Sequence, residues 1–438
     1  MDTKIRKSAK GIAWLLTLVY FASYLMRKNF DVMIANICSE GVKSGAFLTL
    51  EAAEEKIALV SVALTILYGI GQIVNGFIGD KIKPQTMLTI GLSLAAICNI
   101  AMFFCSGVTA MIIVWGVNGF AHSMLWPPIV RLMSIYLSDA EYGYSAVRVS
   151  WGSSIATIVL YTVCPLLLYI LSWRYIILIC AFGGILILSA WIMLNKRLLQ
   201  NPLTPLQNVG KDNETKKKSP LPSFVIMPIA LIMLGIILQG ALRDGVTNWT
   251  PSILSQTYSL PEESAIFYTV IPAIFSMISF SLFDFIHRKF FTNEVVCSAV
   301  IFGGSSVFAL VLFAFNSLLP NAVCAVLLLS LIIGCMHGVN LMLITVVPKR
   351  FIKIGRVSTF SGILNACTYI GASLATPGFA MLKAASKGSW NPTILSWSLI
   401  SILGAIVCLL SARAWSRFCK DDTEKDTNTS IDTNTDTK

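Results

Sequence analysis

The sequence predicts an all-α membrane protein: twelve transmembrane helices in two six-helix bundles. Three observations predict it. The chain of 438 residues is 55% hydrophobic and only 13% charged, where a soluble domain carries about 25% charged residues. Apolar runs such as 177–194 and 322–347 recur along the whole chain, and about twenty such residues cross about 30 Å of hydrocarbon at about 1.5 Å per residue. One long polar interior segment divides these runs into six and six, a duplication in hydropathy that implies bundles related by a pseudo-twofold axis.

The first span, 11–37, is too long for a cleaved signal peptide, lacks a small-residue cleavage pattern and flows into further spans. It carries Arg27 and Lys28 deep in its apolar stretch, with Asp31 one turn on. The second, 55–79, leads through Gly76-Phe77-Ile78-Gly79-Asp80-Lys81-Ile82-Lys83 to the third, 86–106. Glycine permits close helix approach there, and an acid at the membrane edge beside basic residues can latch helix ends by charge. The fourth, 108–137, is interrupted by Trp126-Pro127-Pro128, since proline frees backbone carbonyls and bends a helix. Arg131 follows near the end of that span, where a gating pair with Asp80 competes with simple snorkelling to the interface. Spans 145–170 and 173–194 complete the first bundle, residues 1–194.

Residues 195–222, with Pro, Asn, Gly and the run Lys216-Lys217-Lys218, read as a flexible linker. The second bundle, 223–418, is expected to hold spans at 223–249, 263–286, 294–315, 319–348, 356–382 and 391–415. Its first span carries Arg243 at the depth of Arg27, with Asp244 next to it. Residues 419–438, rich in Asp, Thr, Asn and Lys, have almost nothing to bury and are expected to be disordered.

The net charge of +11 is an orientation signal and not a nucleic-acid patch, because the cations gather on alternate loops. Lys4, Arg6, Lys7, Lys10, Lys81, Lys83, the linker lysines, Arg288, Lys289, Lys349 and Arg350 share one side, which places both termini and the linker in the cytoplasm. The eleven cysteines sit mostly singly in apolar runs, without a CxxC pair or a His/Cys cluster. They read as small apolar fillers, not as disulfides or metal ligands. The three histidines are far apart in sequence, and neither a phosphate-binding GxxxxGK[ST] nor a soluble domain for an ATPase is present. No cofactor and no catalytic constellation is therefore expected, and any solute movement must draw on a gradient.

A charge within the bilayer costs at least about 2.5 kcal/mol, so Arg27 and Arg243 are the leading site candidates. Two guanidiniums facing a central cavity from two bundles would hold a dianion, since the planar fork matches phosphate or carboxylate. The alternative is structural pairing, Arg27 with Asp31 and Arg243 with Asp244. Lys28 points about 100° away from Arg27 and ranks lower.

These residues resemble the organophosphate:phosphate antiporter branch of the major facilitator superfamily. The resemblance rests on Tyr20, Tyr24, Arg27, Lys28, Asn29 and Phe30, the Asp80 loop, and Asn118, Gly119, Trp126, Pro127, Pro128 and Arg131. Trp151, then Leu242, Arg243, Gly245, Trp249 and Pro251, and Tyr369 and Gly371 after Pro348-Lys349, extend it. It implies that Arg27 and Arg243 hold a phosphoryl group, with Tyr20, Tyr24, Tyr369 and Trp126 lining the cavity, by alternating access in a multi-pass cell-membrane monomer. The implied partners are a small organic phosphate, inorganic phosphate and membrane lipid. Gln72 stands where the family has a lysine, Ile155 where it has a histidine, and Asn248 where it has an acid. Those departures imply a divergent member with a larger, less charged or zwitterionic substrate. Two rival readings stay open: proton coupling through Asp31 or Asp244 for another organic anion or drug-like solute, and a transporter-like sensor of a phosphorylated sugar.

Overall fold

The computed structural model describes residues 5–203, 222–260, 268, 270–318 and 320–432; most of the expected linker and part of the loop before the eighth span lie outside the described residues. The first half comprises α1 (Lys7–Lys43), α2 (Leu50–Gly79), α3 (Pro84–Phe104), α4 (Val108–Tyr136), α5 (Asp139–Leu168) and α6 (Trp173–Leu198). The second comprises α7 (Ser223–Tyr258), α8 (Val270–Phe290), α9 (Glu294–Leu318), α10 (Ala322–Lys349), α11 (Val357–Ala385) and α12 (Asn391–Asp432). Eleven of these are long and apolar enough to cross a membrane. The twelfth, α11, is equally long but richer in Ser, Thr, Asn and Gly, which suits a helix packed between other helices more than one facing lipid.

Adding six to each helix number reproduces the packing. In the first half α1 lies against α5 and α6, α2 against α4, and α3 against α4 and α6. In the second, α7 lies against α11 and α12, α8 against α10, and α9 against α10 and α12. Between the halves α2 runs along α11 and α5 along α8, which obeys the same rule. This is the pseudo-twofold arrangement of two six-helix bundles. Small residues make the matching contacts possible: a Cβ at Gly152 of α5 would lie 2.6 Å from the Thr17 carbonyl oxygen of α1, and one at Gly371 of α11 would collide with the Ile237 carbonyl of α7.

Local chemistry explains where helices start and break. α5 begins at Asp139, earlier than the 145 read from hydropathy, because Ser138 and Glu141 form a capping box. Glu141 also takes Nε and Nη2 of Arg6, each at 2.7 Å, tying the start of α1 to α5. α4 breaks at Met124–Leu125 and resumes at Trp126 with proline in its first turn, as the Trp-Pro-Pro run predicts. α10 loosens into a π-helical turn at Leu341–Val346 just before Pro348, which has no N–H to continue the ladder. α12 continues to Asp432, past the start of the tail expected to be disordered; an existing helix adds residues without a new nucleation cost.

The start of α1 and the Trp415 turn of α12 lie on one face, here the terminal face, and the halves are joined towards it. Asp80 accepts the Ser358 and Thr359 amides at 2.9 and 3.0 Å. Tyr142 donates its hydroxyl to the Thr345 carbonyl, Lys349 pairs with Asp139, Trp151 Nε1 reaches the Met277 carbonyl at 3.1 Å, and Asn365 bonds the Tyr68 hydroxyl at 3.2 Å.

Candidate functional site

α1 and α7, the matching first helices of the halves, carry the two arginines to a common place. Arg27 is 4% exposed, with its guanidinium carbon 4.3 Å from the Tyr24 ring centroid and 4.7 Å from that of Tyr68. It forms no ion pair among the described residues, and its Nε is buried without a hydrogen-bond partner. A buried, uncompensated cation is costly. Arg243 is differently placed: Nε and Nη2 grip the two Asp244 oxygens at 2.7 and 2.9 Å. Tyr24 of the first half and Tyr369 of the second lie within electrostatic range of both guanidiniums.

The pairing of Asp31 differs from the expected alternative. It binds Lys28 at 2.9 Å and the Ser61 hydroxyl at 2.7 Å, and leaves Arg27 alone. Lys28, one residue further round the helix, points where an acid three positions on can reach it. Its side chain is 46% exposed and lies within electrostatic range of Asp244 of the other half. Tyr20 packs on Tyr24 and Trp126, with ring centroids 5.1 and 5.0 Å apart, and Tyr369 meets Tyr68 at 4.7 Å. Every aromatic residue expected at the cavity therefore joins one cluster around the arginines.

Asp80 and Arg131 come together, but not as an ion pair. Arg131 donates to the Gly79 and Ile82 carbonyls at the end of α2, while Asp80 caps the N-terminus of α11. Each charge meets the helix end of opposite polarity. Burial pushes the Asp80 carboxyl up, while the Ser358 and Thr359 donors pull it down. Lys81 is exposed beside this latch. Gln72 is sealed in the α2/α11 seam with both amide atoms unpartnered, and Asn248 reaches Thr376 Oγ1 at 3.4 Å.

Two further residues enter from α4 and α10. His122 is buried with Nδ1 3.1 Å from Ser23 Oγ, and lies within electrostatic range of Arg27. His337 stands edge-on to Phe280 and lies within electrostatic range of Arg243 and Asp244. Sequence distance hid them, but the repeated spacings Gly119-x-x-His122 and Gly334-x-x-His337 mark corresponding places in the two halves. Asn99 and Asn118 both donate to the Met26 carbonyl, at 2.9 and 3.1 Å, and brace the backbone next to Arg27.

Two pseudo-equivalent helical bundles, each carrying one largely buried arginine on its first helix, are the architecture of a class of polytopic membrane protein. The family model of the Major Facilitator Superfamily matches residues 16–376, and the chain belongs to that superfamily, whose members are transporters. A glycerol-3-phosphate transporter of Bacillus subtilis (strain 168) is 24% identical over 400 residues, 85% of each chain. A probable hexose phosphate transport protein of Chlamydia trachomatis serovar D is 27% identical over 132 residues, 30% of this chain and 27% of that one. Among solved structures, the proton:xylose symporter XylE bound to 6-bromo-6-deoxy-D-glucose matches with a TM-score of 0.71 at 13% identity, across 91% of this chain and 95% of that one. At that identity the likeness is one of fold. The similarities agree with a divergent member of the organophosphate:phosphate antiporter branch.

Proposed function

We propose that this chain exchanges a small organic phosphate, of the sugar phosphate or glycerol phosphate type, for inorganic phosphate by alternating access. The carrying observation is the pair of guanidiniums, one from each half, that both lie within electrostatic range of Tyr24 and Tyr369. Their states differ usefully. Arg27 has no carboxylate, so an anion supplies the compensation it lacks. Arg243 is held by Asp244, so a phosphoryl group must displace that acid, which then finds Lys28 and His337 within electrostatic range. The guest thereby couples one half to the other and removes the repulsion between the two cations. Only such differential affinity shifts a conformational equilibrium. The gathering of cations on alternate loops supports a cytoplasmic terminal face.

The test is counterflow in proteoliposomes loaded with phosphate and challenged with glycerol 3-phosphate and hexose 6-phosphates. Uptake should require internal phosphate and persist without a pH gradient. Arg27→Gln and Arg243→Gln should each lower apparent affinity by about tenfold to a hundredfold, the worth of one charged hydrogen-bonding partner. Uptake driven by a pH gradient and indifferent to internal phosphate would reject exchange. Saturable binding without uptake would reject transport itself.

A further inference from the structure

The seam between α5 and α8 holds a second feature, unrelated to the paired arginines of the centre. Two adjoining cavities lie along it, of 380 and 240 Å³. The larger is walled by Trp151, Met277, Ile278, Leu282 and Phe285, and the smaller by Val147, Arg148, Asp284 and Arg288; Trp151 and Ser281 belong to both. Together they make one groove with an apolar length and a charged end. Ile278, Leu282 and Phe285 recur at helical spacing with about half their surface exposed, so the apolar length opens on the lipid side of α8.

The charged end sits where a headgroup would reach it. Arg148 lies nine residues into α5, about 14 Å along the helix, and turns back towards the terminal face. Its Nη1 donates to the Tyr144 carbonyl at 3.0 Å, and its guanidinium carbon stands 3.3 Å from the Tyr144 ring centroid. Its Nε is buried and has no hydrogen-bond partner. Asp284, the one acid lining the groove, is already taken by Arg288. The lining therefore carries one uncompensated positive charge and one unused buried donor, above a channel of apolar side chains.

We propose that this seam binds an anionic phospholipid, its phosphate between Arg148 and Arg288 and one acyl chain along Trp151, Ile278, Leu282 and Phe285. A protein that spans the bilayer is surrounded by such molecules, and the division of the groove matches theirs. One wall comes from each half, so the lipid bridges them and favours the state closed at the terminal face.

Native mass spectrometry of the purified full-length chain tests this directly, by titration with dioleoyl phosphatidylglycerol, dioleoyl phosphatidylcholine and inorganic phosphate. The anionic lipid should bind about tenfold or more tightly than the zwitterionic one, and inorganic phosphate should not displace it. Arg148→Gln combined with Arg288→Gln should weaken it about thirtyfold, on the scale of about fivefold per basic residue near the headgroups. Ser281→Phe fills the groove without changing charge and should expel the lipid too, so it decides the matter if the charge variant fails to fold. Equal retention of the two lipids, undiminished binding in Ser281→Phe, or displacement by millimolar phosphate would overturn the proposal.

Discussion

The two seams between the halves are related by the pseudo-twofold axis yet built on different principles. Along α2 and α11 the backbones meet: a Cβ at Gly76 would stand 3.0 Å from the Ser358 carbonyl oxygen, and one at Gly362 would collide with that of Gln72. Asp80 then ties the end of α2 to the first amides of α11, and Tyr68 meets Asn365 and Tyr369 further in. Along α5 and α8 side chains keep the helices apart. Trp151 bridges them by one indole hydrogen bond, and Asp284, which lies against Gly143 near the start of α5, is held by Arg288 of its own helix. One seam is a backbone latch and the other a spacer with room beside it. Twofold symmetry of the skeleton thus does not extend to the interfaces, because α2 carries Gly69, Gly71, Gly76 and Gly79 while α8, Val270–Phe290, carries no glycine.

The largest expected effect comes from filling the tight seam. Gly362→Leu forces side-chain atoms into the Gln72 carbonyl, and overpacking of this kind costs about 1–3 kcal/mol. Spin-label distances across α2 and α11 should lengthen and counterflow should collapse, whereas Ser281→Leu, entering the α5/α8 groove, should leave the same distances unchanged in detergent free of anionic phospholipid. Equal responses would erase the distinction drawn between the seams.

Next in size is the contrast between the two acids. Asp80→Asn removes a charged cap on a helix N-terminus, worth about 1–2 kcal/mol, and should open the terminal face by roughly tenfold in cysteine accessibility at Ser358→Cys. Asp284→Asn breaks a partly exposed pair one turn apart, worth about 0.3–0.5 kcal/mol, and should change accessibility at Gly143→Cys less than about threefold. The smallest effect is expected of Trp151→Phe, which keeps an aromatic but smaller side chain and deletes one hydrogen bond of about 1 kcal/mol. It should lower the melting temperature by only a few degrees without altering the α2/α11 distance. A larger loss would promote Trp151 from spacer to latch.

Much of this was legible before any helix was packed. Each of the twelve spans read from hydropathy falls on a helix, the start of the eighth (263–269) lying largely outside the described residues, and Trp126-Pro127-Pro128 announced the break in α4. Arg27 and Arg243 stood out because charge in an apolar run needs a reason. Other features had no one-dimensional signature. Whether Asp31 would take Arg27 or Lys28 turned on side-chain direction and on Ser61 of another helix. Asp80 was legible as a latch, yet its partners are backbone amides of α11, which no residue type encodes. His122 and His337 were visible as letters, and only the fold brings each beside an arginine of its own half.

The sequence alone determined the membrane class, the six-plus-six duplication and the presence of one deep guanidinium per half, because the cost of burying charge and the length needed to cross a bilayer act locally along the chain. Tertiary structure alone decided which charges are spent on each other and which stay available, because that depends on distances of a few ångströms between helices far apart in sequence. Arg27 without a carboxylate and Arg243 holding one are chemically alike in the sequence. Their difference exists only once the helices are packed.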